Sequence, residues 1–361
     1  MTPAIETPDP LVELSAPAGV RQARPPYGLG AAVGLALFAL YVITLAPSTA
    51  FWDTSEYIAT AYILGIPHPP GNPLFVVLAR AWLILLSPLG LSVAVRVNLL
   101  AAATSAASGA FLLLVAHRIL VPVLGSDRRA RIGAFLAALV GGTTFTVWNQ
   151  SNVNEKVYTV SVLVIAAVTW LAVRWRDRRH EPGSERYLLG AVFLLAIGST
   201  NHLMSVLPVP ALGLYVLFTQ AGVLLRPRFL VRAFLLVVVG LSFNFVLPVR
   251  AALDPVIDEG QPTCGSMLGA AEAIYTQGHA GCPALAFNLT RKQYRKPPVF
   301  ERMSPFAAQL GNYVQYFGWQ WGRGLNPSPL PGTARGPLAL LFLVLGVLPT
   351  PQAIADSLSS A

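Results

Sequence analysis

Asp53 and Glu56 stand three residues apart in the stretch Phe51-Trp52-Asp53-Thr54-Ser55-Glu56, and His68-Pro69-Pro70-Gly71 follows shortly after. On a helix that spacing puts both carboxylates on one face, where they could exchange protons with a bound substrate. No Lys or Arg lies between Ala46 and Arg80, so the acids have no basic neighbour in sequence. The same residues also fit a capping box, with Asp53 as N-cap and Glu56 reaching back ahead of the apolar run Tyr57-Ile58-Ala59. His68 heads a stiff turn, because each proline restricts itself and the residue before it. That turn either holds the imidazole near the carboxylates or simply separates two helices.

Other polar groups recur later. Glu155 and Tyr158 open a helical segment, where Glu155 suits either the positive end of the helix or a pocket. Asn201 and His202 form a turn between two apolar runs. Arg250 follows Leu247-Pro248-Val249, and a cationic cluster runs from Arg291 to Lys296. These cations suit either lipid headgroups or a bound phosphate.

The elements that must position these groups lie in a membrane. Of 361 residues, 54% are hydrophobic and 11% charged, against about a quarter charged in a soluble domain; mean hydropathy is +0.59. The net charge of +9 sits in loops between apolar runs, which fits membrane orientation rather than binding to nucleic acid. Zinc-type cysteine spacing, a Walker loop and a GxGxxG after a strand are all missing.

Apolar segments fall near 28–46, 74–88, 97–119, 132–148, 157–173, 187–200, 203–220, 229–248 and 337–349. If 74–88 crosses, the basic loop with Arg118, Arg128, Arg129 and Arg131 faces outward, and so does every later basic loop. If 74–88 does not cross, the Arg-rich loops around 118–131, 174–186 and 226–232 all face inward. The short outer pieces then hold only Arg80, Arg96 and Lys156. The positive-inside rule selects the second arrangement. Segment 74–88, short and interrupted by Arg80, is expected in the outer interface with Trp82 as an anchor.

The expected fold is thus an all-α polytopic bundle of about eight transmembrane helices. A polar, Pro-rich tail (1–26) is expected to be disordered in the cytoplasm, ahead of a core at 27–250 whose first outer loop is 48–95. An outer loop at 251–336 carries Cys264 and Cys282, whose placement permits a disulfide. A last partial helix and tail occupy 337–361. Acids, histidines and cations then share the outer face, with almost no ionisable residue mid-span. That pattern speaks against an ion pathway and for an enzyme acting on a lipid-linked anionic substrate. The excess of Arg over Lys and the abundant Ala point to a GC-rich bacterial source, hence an inner membrane.

Several motifs taken together resemble a known family. They are Asp53-Thr54-Ser55-Glu56, His68 to Leu74, Arg96-Val97-Asn98, Trp148 with Glu155-Lys156-Val157-Tyr158, Gly198 to His202, and Pro248-Val249-Arg250. They resemble the GT-C-fold glycosyltransferases, and more closely the protein O-mannosyltransferase-like family of transmembrane protein 260 type, formerly a domain of unknown function. The family often has Gly where Ser55 stands. Its full-length members continue into further helices and a soluble portion, so the resemblance implies that this chain is C-terminally truncated.

The resemblance implies transfer of a sugar, mannose by family, from a polyprenyl-phosphate donor to a hydroxyl of a protein or glycan acceptor, with inversion. Asp53 would be the general base and Glu56 would orient the acceptor or raise the basicity of Asp53. Arg250, His202 and His68 would offset charge on the leaving phosphate, while Glu155 and Tyr158 would shape the sugar pocket. No residue is assigned to a metal and no cofactor is implied beyond the donor, although the fold class includes metal-dependent members. The competing functions are a transporter or flippase of lipid-linked sugars or polymer, and a non-catalytic membrane assembly subunit.

Overall fold

The computed structural model describes residues 23–50, 52–153, 157–294, 301, 304–321 and the isolated positions 337, 340, 341 and 344. The regular structure among them is helical, and the only β-type pairing is a single bridge between Ile66 and Asp258. In chain order the helices are α1 (Tyr27–Ile43), α2 (Thr54–Ile63), α3 (Pro73–Leu85), α4 (Val93–Leu124), α5 (Asp127–Thr143), α6 (Phe145–Asn152) and α7 (Tyr158–Asp177). They continue with α8 (Glu185–Ser199), α9 (Val209–Gln220), α10 (Pro227–Leu241), α11 (Val246–Ala251), α12 (Met267–Tyr275), α13 (Pro283–Leu289) and α14 (Phe306–Trp319).

Four stretches are long and apolar enough to cross a membrane: Val93–Leu124, Tyr158–Asp177, Leu203–Leu225 and Pro227–Ala251. A fifth results if α5 and α6, bent by 63° at their junction, count as one span. The chain is therefore a multi-pass membrane protein. The expected spans at 28–46 and 187–200 correspond to helices of 17 and 15 residues, shorter than the roughly 20 needed for a comfortable crossing. Most of 337–349 and all of 1–22 lie outside the described residues. By length and composition, four or five helical stretches among the described residues can cross a membrane, where the sequence suggests about eight.

The chain forms two compact units, 27–115 with 138–301, and 1–26 with 116–137 and 302–361. In the smaller unit, the Asp127 carboxylate accepts from Arg131 Nε at 2.7 Å and lies 2.9 Å from His117 Nε2. This pins the turn between α4 and α5. The larger unit contains the candidate chemistry.

In the larger unit α2 and α3 form a hairpin of short helices. α3 starts at Pro73, which suits a first helical position because it lacks an N–H. Its buried face is Phe75, Val76, Ala79 and Leu83, spaced as one helical stripe. That stripe packs on Tyr57, Ile58 and Ala61 of α2, with Val97 and Leu100 of α4 and Val157 and Val160 at the head of α7. Each large side chain buried there contributes about 1.5–3 kcal/mol, so the hairpin is braced on two membrane-spanning helices. Arg80 donates to the Tyr62 carbonyl and lies over the Tyr62 ring. The Trp82 indole N–H donates to the Arg96 carbonyl at 2.9 Å, and Arg96 Nη1 donates to the Leu83 carbonyl at 2.7 Å. Asn98 ties down the chain after α1 through the Ala46 and Ser48 carbonyls. The Arg96-Val97-Asn98 motif is thus a set of backbone ties that anchor the α2–α3 hairpin and the chain before it.

The membrane-spanning part is held by close helix contact. A Cβ built on Gly240 of α10 would lie 2.6 Å from the Ala196 Cβ and 2.8 Å from the Ile197 nitrogen of α8. Only glycine permits that approach, the usual device where lipid supplies no hydrophobic drive between helices.

Between the helices of the hairpin, the chain makes two left-handed turns. Leu64 closes α2 at φ 53°, and Ile66 then pairs with the segment after α11 through Ile257 and Glu259. Gly71 has φ 85°, and a Cβ there would meet Leu247 Cδ2 at 2.6 Å. Gly71→Ala combines a disallowed backbone with overpacking, each worth about 1–3 kcal/mol. Its thermal unfolding midpoint in detergent is expected to fall clearly below that of the wild type, and an unchanged midpoint would refute this account of the turn.

Candidate active site

A cavity of about 260 Å³ opens where the α2–α3 hairpin meets the head of α7. Asp53, Tyr57, His68, Asn72, Tyr158, His202, Arg291 and Tyr294 line it, together with Pro69, Pro70 and Val157. Residues far apart in sequence therefore converge, all within the larger unit.

Asp53 occupies the N-cap position of α2, yet its side chain makes no capping hydrogen bond. Glu56 does not reach back to complete a capping box either. Its carboxylate instead accepts from the His68 backbone N–H and lies 2.8 and 3.0 Å from His68 Nδ1. The two acids thus separate in role: Asp53 lines the cavity, and Glu56 holds the imidazole. The hydrogen bond from Glu56 raises the His68 pKa above its ordinary value, against the opposing effect of burial, with Asp53 and Glu259 adding in the same direction. Glu259, in the segment after α11, is itself raised by burial and by the negative charge of Glu56.

A buried polar relay fixes the rest. Tyr57 Oη donates to Asn72 Oδ1 at 2.9 Å, and Asn72 Nδ2 donates to the Asn201 carbonyl. Asn201 Nδ2 donates to the Val157 carbonyl at 2.9 Å and to Ser161 Oγ at 2.8 Å. Asn72 adopts the left-handed region at φ 39°, which asparagine tolerates better than most residues. Burial pushes the Tyr57 phenol well above its ordinary pKa, so it stays a proton donor. His202 Nδ1 accepts from the Met204 N–H at 3.1 Å, which places the proton of the neutral ring on Nε2. Its ring packs edge-on against Tyr158, centroids 5.3 Å apart.

The residues expected from the sequence divide as follows. Asp53, His68, Tyr158 and His202 meet at the cavity, with Glu56 directly behind His68. Arg250 does not line it: its Nε donates to the Leu64 carbonyl at 2.8 Å, closing the end of α2. Glu155 lies outside the described residues. Tyr57, Asn72 and Tyr294 were not expected as lining residues, and Arg291 was read only as one cation of a cluster suited to lipid headgroups or a phosphate. Asn72 was within reach of a sequence argument, since it follows the His68-Pro69-Pro70-Gly71 turn directly and caps α3.

Asp53, Glu56 and His68 each offer a ligand atom within 4.8 Å of the other two, a mixed set that suits a first-row divalent ion. Yet Glu56 is already engaged by His68 through both the backbone and the ring. The geometry is that of a carboxylate–imidazole pair that points the remaining ring nitrogen elsewhere.

Cys264 and Cys282 are joined in a disulfide, their Cα atoms 5.6 Å apart. Cys282 shares a hydrophobic cluster with Ile66, just before the His68 turn, and with Leu247 below Gly71. The disulfide-bearing loop and the carboxylates are therefore parts of one packed structure.

Residues 53–224 match the family described as the protein O-mannosyl-transferase TMEM260 N-terminal domain. The protein O-mannosyl-transferase TMEM260 of Mus musculus is 31% identical over 167 residues, which are 46% of this chain and 22% of the mouse protein. The match thus spans about a fifth of that relative's length. No solved structure matches the chain. Residues 53–224, which carry Asp53, Glu56, His68, Tyr158 and His202, are thus the part of the chain that is similar to the TMEM260 N-terminal domain.

Proposed function

We propose that the chain is an integral-membrane mannosyltransferase that moves mannose from a polyprenyl-phosphate donor to a hydroxyl of a protein acceptor on the outer face of the membrane, with inversion. The observation that carries the reading is the cavity itself, lined by the carboxylate of Asp53, the imidazole of His68 whose pKa Glu56 raises, the Arg291 side chain and the N-terminus of α7. A base and an anion-binding set in one recess are what glycosyl transfer from a phosphate requires. The mannosyl and protein specificities come from the similarity to the mouse protein.

Asp53 accepts the proton of the acceptor hydroxyl as its oxygen attacks the anomeric carbon. The bond from that carbon to the phosphate oxygen breaks, and the electron pair leaves with the polyprenyl phosphate. His68, whose protonated form Glu56 favours, and the positive end of α7 stabilise that charge. His202 offers its Nε2–H, and Tyr158 packs beside it to shape the pocket. The disulfide supports an outward-facing site, since such bonds persist in oxidising compartments.

Because Glu56 and His68 are committed to each other, transfer is expected to persist when divalent ions are removed. Activity retained within about twofold in excess chelator supports the ion pair, and activity lost and restored by Mn²⁺ or Zn²⁺ would replace it with a metal site. The function itself is tested by supplying membranes with labelled polyprenyl-phosphate mannose and comparing glycopeptides from hosts with and without the gene. Absence of any mannosylated species that depends on the gene would sink the proposal.

A further inference from the structure

The family match ends at residue 224, but the cavity extends beyond it. Arg291 and Tyr294 come from the turn after α13, in the outer loop that contains the disulfide. That turn is firmly built. Arg291 adopts the left-handed region at φ 53°, with its N–H on the Asn288 carbonyl at 3.0 Å. Asn288 Nδ2 donates to the Gly260 carbonyl at 2.7 Å, and Gln293 Nε2 donates to the Pro69 carbonyl at 3.0 Å. A non-glycine residue in this backbone region persists only where its surroundings over-determine it. Gln293 also ties the turn directly to the His68-Pro69-Pro70 segment on the opposite side of the cavity.

The Arg291 guanidinium is half-buried and makes no hydrogen bond or ion pair among the described residues. Burial draws its pKa below the ordinary value, and the ionisable groups facing it are the phenols of Tyr294, Tyr57 and Tyr158 rather than a carboxylate. A desolvated cation without a counter-ion is costly, and a guanidinium matches the oxygens of a phosphate in a bidentate fork. Arg250, the cation expected from the sequence to meet a phosphate, is engaged with the Leu64 carbonyl away from the cavity lining.

We propose that Arg291 grips the phosphate of a lipid-linked phosphate ligand in this cavity, with Tyr294 beside it, so that the base and the phosphate clamp are supplied by different outer loops. The inference deepens the donor assignment and rests on it. It also means that the matched stretch 53–224 lacks one of the groups that hold the donor.

The test uses the whole chain in phosphatidylcholine nanodiscs, titrated with a polyprenyl monophosphate. Arg291→Gln is expected to weaken binding roughly 10- to 100-fold, the range for a hydrogen bond to a charged group, and to raise the donor KM more than it lowers kcat. Arg291→Gly removes the charge while relaxing the positive φ, so it should lose binding equally without a lower unfolding midpoint. Arg291→Lys should retain part of the affinity. If the wild type fails to bind polyprenyl phosphate, the donor reading falls, and this inference with it. If the wild type binds and the Gln and Gly variants bind within twofold of it, Arg291 is not the clamp. If millimolar inorganic phosphate, or phosphatidylglycerol in the nanodisc, displaces the probe completely, the ligand is a free phosphate or a headgroup rather than a lipid-linked donor.

Discussion

Asp53→Asn is expected to lower mannose transfer by on the order of 10³-fold, within the range for loss of a general base, while leaving membrane insertion and the unfolding midpoint unchanged. The separation of effects follows from geometry. Asp53 stands at the N-cap of α2 without making the capping hydrogen bond, so the substitution removes no cap bond from the helix. Asn is as good an N-cap residue as Asp, so any capping role survives the change. Asn keeps the shape of the side chain and its hydrogen-bonding oxygen, but it cannot accept a proton at neutral pH. A transporter or an assembly subunit has no need of that basicity and would tolerate the substitution. Incorporation of labelled sugar within tenfold of the wild type would therefore remove Asp53 as the base.

The α2–α3 hairpin was readable from the sequence because three independent signals agreed on it. The 74–88 segment was too short to cross, it carried Arg80, and the charge of the later loops required it not to cross. Its packing was less readable. Trp82, expected to anchor in lipid, has its indole N–H on the Arg96 carbonyl instead, because the hairpin is braced on α4 and α7. The number of crossings was less readable for a related reason: hydropathy finds apolar runs but not where a helix ends. α1 and α8 end after 17 and 15 residues. The bend between α5 and α6 has no proline to announce it.

The site was partly readable. Asp53, Glu56 and His68 drew attention because ionisable groups are scarce in such a chain, and the stiff turn suggested their proximity. What sequence could not separate was cap from site, since both want an acid at the same spacing. The Glu56 carboxylate turns toward His68 rather than toward the N-cap, which removes the capping box. Arg250 and Arg291 were equally plausible phosphate ligands by type. Their difference lies in tertiary partners, a carbonyl for one and a cavity for the other, and no local pattern encodes that.

The Glu56–His68 pair predicts a specific pH dependence. Glu56 raises the His68 pKa through its hydrogen bond, more than burial lowers it, with the charges of Asp53 and Glu259 assisting. His68 therefore stays protonated in the folded protein above the ordinary value of about 6.5. The pair's contribution to stability is complete below that value and is lost as pH rises through the raised folded pKa. If the imidazolium offsets charge on the departing phosphate, turnover must decline over the same alkaline range. Glu56→Gln keeps an oxygen for the His68 N–H but removes the charge, so the alkaline limb of kcat should move to lower pH. Burial, now unopposed by Glu56, reinforces that displacement. His68→Gln has no charge at any pH; it should lower kcat by on the order of 10²-fold, as when one transition-state donor is removed, and abolish that limb. Titration of the His68 ring by NMR in the wild type and in Glu56→Gln gives the independent check. Coincident His68 titrations in the two proteins, or an alkaline limb that persists in His68→Gln, would assign the pH dependence to another group.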